Sequence, residues 1–424
     1  MKKYILIILC CLTSFPLWSY NVNMIVEHYS VDQGLPNNTV NCTLKDRDGF
    51  IWFGTWYGLC CFDGVKFKTF NKQEHDSDVP PRKIQRIVED KNGYIWVKTI
   101  DRKLYVFNKV TECFHAVYDD MKNYSENIQV IKLQNTAEGD VLLLTKDKNL
   151  LLAGVDEKGQ VTIKILFDSR NEINKHDYTL KHHVLCETEE YISWIGTDYK
   201  VAAVHKGSEL ASRPADFITS KINSGDKDSF TSFFEDGRKV WVGDRAGIFY
   251  SIDVRTGLVN RYVLSEIKGA ISNLLVTPAG YVYLSVAGQG TYEYDLAERR
   301  LQKINTEMND AMVTHAFIDQ YDKIWFHENE KALIYYDPLN HTAKRFPFTM
   351  FGKITTLYSE DAGERGLFFL SPAGEAWLFD REHAEMVYIN KLKQLSNDRA
   401  NQQFYHLMLD NDGVLWLSLS LIHI

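Results

Sequence analysis

Thr43-Leu44-Lys45-Asp46-Arg47-Asp48-Gly49-Phe50-Ile51-Trp52-Phe53-Gly54-Thr55-Trp56-Tyr57-Gly58-Leu59-Cys60-Cys61-Phe62-Asp63 is the stretch on which the fold turns. An apolar run leads into Asp-x-x-Gly, where the carboxylate can accept a backbone N–H and glycine supplies a positive φ. Ile51-Trp52 then opens a second strand, with a ring large enough to bury ~150–250 Å². Gly54 follows, as expected where packing is close. A second turn leads to a third strand over Gly58-Leu59-Cys60-Cys61-Phe62-Asp63. Lys66-Phe67-Lys68-Thr69-Phe70 reads as a fourth.

The pattern recurs around Asp90, Gly93 and Trp96, around Asp236, Trp241 and Gly243, and around Asp410, Gly413 and Trp416. Weaker copies centre on Leu142, Trp194, Tyr283, Trp325 and Phe368. The register positions are 52, 96, 142, 194, 241, 283, 325, 368 and 416, spaced 42 to 52 residues apart, and six of the nine tryptophans fall on them. A period of this length built from short strands is the signature of a propeller blade. The fold class read from it is all-β, a β-propeller with four antiparallel strands per blade. Asp46, Gly49, Trp52, Gly54, Asp90, Gly93, Trp96, Trp194, Asp236, Trp241, Gly243, Trp325, Gly413 and Trp416 are the residues expected to build the repeat.

Composition agrees. The chain has 424 residues, 45% of them hydrophobic and 13% aromatic, which suits a large strand-rich core. Its net charge of -8 is spread over mixed acidic and basic residues. That excludes nucleic acid or an anionic membrane as the main partner. Lys2 and Lys3, the apolar stretch from Tyr4 to Trp18 and the small Ser19 read as an export signal over residues 1–20, with an uncleaved anchor as the alternative. Leu9 before Cys10 argues against lipid attachment. The mature part is expected in the periplasm. Its five cysteines, Cys42, Cys60, Cys61, Cys113 and Cys186, are odd in number and lack CxxC spacing, so they read as small buried hydrophobes.

The repeat resembles the two-component regulator propeller family, whose signature runs D-x-x-G-x-[IV]-W-x-G-T-x-x-G-L-x-x-[FY]-D. Asp46 through Asp63 follows it, and Tyr29-Ser30-Val31-Asp32-Gln33-Gly34-Leu35-Pro36-Asn37-Asn38 is similar to the family's lead-in segment. The resemblance implies the periplasmic sensor region of a hybrid two-component histidine kinase, in which two seven-bladed propellers stand in series outside the membrane. It implies a first propeller of seven four-stranded blades over 21–347 and the first blades of a second over 348–418. It also implies an inner-membrane anchor, a kinase that this sequence does not contain, a homodimeric receptor and an oligosaccharide as ligand. Leu419-Ser420-Leu421-Ile422-His423-Ile424 is what one frame of a transposon sequencing adapter encodes (CTG TCT CTT ATA CAC ATC), so 419–424 is expected to be an adapter artefact. The segment from Ile25 to Ser30 is expected to pair as a strand with a late blade.

No cofactor, metal or catalytic residue is expected. Asp46 to Gly49 lacks the further carboxylates of a calcium loop. Gly288-Gln289-Gly290 has no lysine or following helix to cradle phosphate. His182-His183 and His327-Glu328 lack ligand spacing, and no converging carboxylate pair is evident. Ligand binding is expected on the face carrying the turns between second and third strands. Those turns hold Trp56, Tyr57, Asp101, Arg102, Asp198, Tyr199, Asp244, Arg245 and Gln289, where rings can stack on sugar faces and Arg/Asp pairs can bind hydroxyls. An exported propeller lyase or glycosidase, or a sensor coupled to a cyclic-nucleotide synthase, are the other readings the sequence leaves open.

Overall fold

The computed structural model describes residues 27–421 apart from 71, 74–79, 123, 125–128, 170–184, 196–199, 208–219, 222–229, 305–312, 330, 352–356, 372–373, 392–401 and 411–413. The signal segment, Asp198, Tyr199 and Gly413 lie outside the described residues.

The chain is all-β. Among the described residues it forms nine sheets in chain order, seven of them four-stranded antiparallel meanders. Blade one consists of Val40–Lys45, Ile51–Thr55, Gly58–Phe62 and Phe67–Phe70. Blade two repeats this over Ile84–Glu89, Ile95–Thr99, Leu104–Asn108 and Cys113–Ala116, and Lys72–Gln73 adds a fifth, parallel strand at its outer edge. Among the described residues, blade nine has two strands, Gln402–Leu409 and Leu415–Leu421.

The periodicity explains this layering. Ile51–Thr55, Ile95–Thr99 and Val141–Thr145 are buried at every position, because second strands are covered on both faces by neighbouring blades. Fourth strands such as Arg300–Lys303 are mostly exposed at the rim. First strands of neighbouring blades lie side by side around the centre. In blades one, two, three, five, six, seven and nine the register shifts at the same place in the first strand, for example between Val40 and Cys42 and between Ile84 and Arg86. Such a bulge raises local twist where strands converge. Nothing in the motif signalled it.

The glycine reading holds at Gly54 and Gly243. A Cβ on Gly54 would lie 2.5 Å from Cys42 Sγ and 2.6 Å from Ile84 Cγ2 of the next blade. Gly243 meets Ser232 and Ile271 in the same way. The five cysteines are free and buried, and burial pushes the Cys42 thiol up to about 12.

Packing crosses the expected boundary at 347–348 without a break. Trp325 of blade seven lies 5.3 Å from Phe369 and 4.6 Å from Phe379 of blade eight. Blade nine in turn packs on blade one, with Trp416 at 5.8 Å from Phe53 and 5.6 Å from Phe62. The lead-in segment differs from expectation. Residues 27–30 form no strand, and Ser30 instead caps a short 3-10 turn over Val31–Gln33. Tyr29 still reaches the last blade, stacking on Trp416 at 6.2 Å. Leu419–Leu421 continues the last strand, a placement that alternating apolar residues favour whatever codons specify them.

Candidate functional site

Four of the turns between second and third strands are fixed by the same backbone bond. The first turn residue donates its N–H to the residue leading into its own blade: Trp56 to Thr39, Ile100 to Lys83, Lys146 to Gln129 and Ala287 to Ala270. Turn carbonyls are held by the next blade, Trp56 accepting from Lys83 and Arg102 from Val130. These bonds form a belt on one face, and the candidate residues sit on it.

Trp56 and Tyr57 stand out from this belt. They are 41% and 63% exposed, unusual for rings of this size, and Ile100 beside them is 45% exposed. Lys83 places its ammonium 5.3 Å from the Trp56 ring centre, a cation–π contact that steadies the indole. Lys83 and Ile100 lie in connections outside the motif, which is why sequence reading passed over them. Thr55 Oγ1 accepts the Tyr57 N–H and donates to the Gly58 carbonyl, so the aromatic pair rides on a rigid turn.

The other candidates divide. Arg102 and Arg245 are exposed, and Arg102 adopts a left-handed φ of 67°. Asp101 accepts from Thr99 Oγ1 at 2.5 Å and pairs with Lys103 at 3.5 Å. Burial pushes its carboxyl up, but the Thr99 bond and the Lys103 charge outweigh this and leave it below the ordinary range. Asp244 is buried and caps its own turn, accepting from Ala246 and Ile248 N–H at 2.9 Å each, with burial holding its carboxyl above the usual range. Gln289 accepts from Lys268 N–H at 2.7 Å and donates to the Glu266 carbonyl. The geometry therefore makes Asp244 and Gln289 parts of the scaffold. A polar turn residue reads the same in sequence whether it faces a ligand or closes its own loop.

The opposite face carries a cluster that the sequence did not reveal. Asp46, Asp48 and Glu89 bring carboxylate oxygens within 4.8 Å of one another. Lys109 of blade two holds them, its ammonium 3.1 Å from Asp46, 2.7 Å from Asp48 and 2.8 Å from Glu89. Burial pulls this ammonium down, and the bonds to Asp48, Glu89 and Asp46 raise it well above its ordinary value. The same position after the third strand is used twice more. Lys206 bridges Glu138 of blade three and Glu187 of its own blade, and Arg381 bridges Asp319 of blade seven and Asp361 of its own. These are staples between blades, and at Asp46 the staple fills the space a cation would take.

Turn, buried tryptophan and close-packed glycine are now placed in blade one. Residues 34–57 match the family described as Two component regulator propeller. The regulator-propeller match covers blade one from Gly34 to Tyr57, and so includes both exposed rings. No curated protein matches the chain. Among solved structures it is similar to the extracellular domain of BT4673 from B. thetaiotaomicron, described as a hybrid two component system, at 15% identity and TM-score 0.34, covering 92% of this chain and 64% of that one. The extracellular domain of BT3049 from B. thetaiotaomicron, described likewise, matches at 14% identity and TM-score 0.36, covering 93% and 57%. The Dos1 propeller matches at 12% and 0.48, covering 78% and 89%. This chain thus spans less than two thirds of the length of both extracellular domains.

Proposed function

We propose that this chain is the extracytoplasmic ligand-sensing part of a two-component signalling receptor, reading an oligosaccharide on the face that carries the turns between second and third strands. The observation that carries the reading is the regulator-propeller repeat over residues 34–57, with its register recurring through blade nine. The exposed Trp56 and Tyr57 support the ligand class, because flat rings stack on the apolar faces of sugars and few other residues on the belt offer that. Periplasmic location, a membrane anchor, a homodimeric receptor and a histidine kinase completing the protein belong to the same proposal.

Isothermal titration of the chain against a panel of neutral plant and host oligosaccharides tests it. One class is expected to bind, with affinity falling at least tenfold in Trp56→Ala and Tyr57→Ala while the melting temperature stays put. Binding to none of the panel, or binding indifferent to both substitutions, would sink the proposal. Cleavage of the bound sugar would shift the reading to an exported enzyme.

A further inference from the structure

We propose that the centre of the ring, at Arg86, binds a small oxyanion group, a carboxylate or a sulfate, with Lys98 and Lys132 beside it. The shared bulge puts one residue of a first strand opposite the next-to-last residue of the second strand. These pairs are Arg86 and Lys98 in blade two, Lys132 and Leu144 in blade three, Ser232 and Gly243 in blade five, Asn273 and Ser285 in blade six, and His315 and His327 in blade seven. In these five blades the level carries cations and neutral groups and no carboxylate. A protein with net charge -8 has concentrated positive charge at one height of its axis.

Lys98 and Arg86 make the case specific. Lys98 stands where blades one and five have their close-packed glycine, and it is 6% exposed. Its ammonium donates to Gln85 Oε1 at 2.7 Å and to the Ile131 carbonyl at 3.1 Å, both uncharged. A buried charge held only by neutral acceptors is costly unless something compensates it. Burial, with the nearby charges of Arg102 and Arg86, holds this ammonium below its ordinary range. The Arg86 side chain is exposed, and its guanidinium makes no hydrogen bond or ion pair among the described residues. It lines a cavity of about 400 Å³ with Cys42, Thr43, Glu89 and Asn135. Glu89 is the acid there, and its charge is already engaged by Lys109 and Arg47. A guanidinium free to offer parallel N–H donors matches a planar carboxylate or a sulfate edge. The site lies in the central channel rather than on the turn face, so it stands or falls separately from the oligosaccharide proposal.

The test uses the whole chain and the fluorescent trisulfonate 8-hydroxypyrene-1,3,6-trisulfonate, followed by anisotropy. Saturable binding is expected, weakened at least tenfold in Arg86→Gln and in Lys98→Met, with circular dichroism melts showing both variants folded. Lys303→Gln, on an exposed outer strand, should leave binding unchanged. Sodium sulfate or sodium acetate should displace the dye where sodium chloride of equal ionic strength does not. Stronger displacement by acetate identifies a carboxylate site, and by sulfate a sulfate site. No binding, binding unaffected by Arg86→Gln, or displacement equalled by chloride would overturn the proposal.

Discussion

The indole N–H of Trp96 donates to the carboxylate of Asp90, six residues upstream, at 2.8 Å. The other oxygen of that carboxylate accepts the N–H groups of Asn92 and Tyr94 and so closes the turn. One side chain therefore fixes the turn and orients the ring that fills the space between blades. The same bond joins Trp52 to Asp46, Trp241 to Asp236, Trp325 to Asp319 and Trp416 to Asp410. Where threonine closes the turn there is no second oxygen to offer. Thr136 and Thr277 accept only the turn N–H groups of Asp140 and Tyr281, and their register positions hold Leu142 and Tyr283, whereas Thr188 closes the turn of blade four through the Tyr191 N–H and Trp194 still takes the register position. Tyr283 turns its hydroxyl to the buried Glu293 of its own blade.

Asp90→Ala should therefore destabilise far more than loss of a surface turn. It strands two backbone donors and an indole N–H in a site that is 1% exposed, a loss of about 3 kcal/mol. Asp90→Asn keeps the acceptor oxygen for one set of donors and should lose less. Urea unfolding followed by tryptophan fluorescence measures both, and equal stability of Asp90→Ala and the unsubstituted chain would contradict the dual role.

Gly54→Ala tests the close approach of blades one and two. The added methyl meets Cys42 Sγ and Ile84 Cγ2 at distances no real contact tolerates, so overpacking of roughly 1–3 kcal/mol is expected. Cys42→Ala removes one of the two obstacles and should recover part of the loss. A double-mutant cycle reads this as a coupling between positions 42 and 54, and strict additivity would show that the strain lies elsewhere.

How much of this was legible depends on sequence distance. The Asp46–Gly49 turn, the glycine at 54 and the burial of Trp52 follow from residues within one repeat, and sequence reading reached them. The bond between Trp52 and Asp46 needs the turn and the ring on the same side of a twisted hairpin, which a period does not specify. Lys109 lies 63 residues from Asp46, and only ring packing brings them together. At the candidate site, Trp56 and Tyr57 could be picked out because aromatic residues in a turn are conspicuous. Asp244 and Gln289 looked equivalent to Asp101 until their own loops were seen to use them. Arg86 and Lys98 belong to no motif, and their shared level depends on a bulge that leaves no trace in composition.

Trp416→Ala addresses the contact between the last blade and the first. Its ring meets Tyr29, Phe53 and Phe62, so truncation should remove a share of the ~3–5 kcal/mol typical of a large aromatic. Hydrogen exchange should quicken in Ile51–Thr55 and stay unchanged in Lys239–Asp244, which sits in a different core cluster. Uniform change across both strands would mean that blade nine does not act through blade one.

Lys109→Met separates the staple from a plain packing role through its pH dependence. In the unsubstituted chain the hydrogen bond and charge of Lys109 hold the Asp48 carboxyl below its ordinary range. A carboxylate lowered on folding contributes stability that is present above its unfolded value, near ~4, and is lost as pH falls through the folded one. Without Lys109, Asp48 faces the carboxylates of Asp46 and Glu89 within 4.8 Å with one cation fewer, and their repulsion raises it. The folded state then binds protons more readily than the unfolded one between pH 7 and 4, so the variant should gain stability on mild acidification while the unsubstituted chain does not. Melting temperatures of the two proteins at pH 7 and pH 5 measure the difference. Methionine nearly preserves the length of the side chain, so a deficit that stays the same at both pH values would assign Lys109 to packing, and a deficit that narrows at pH 5 assigns it to charge.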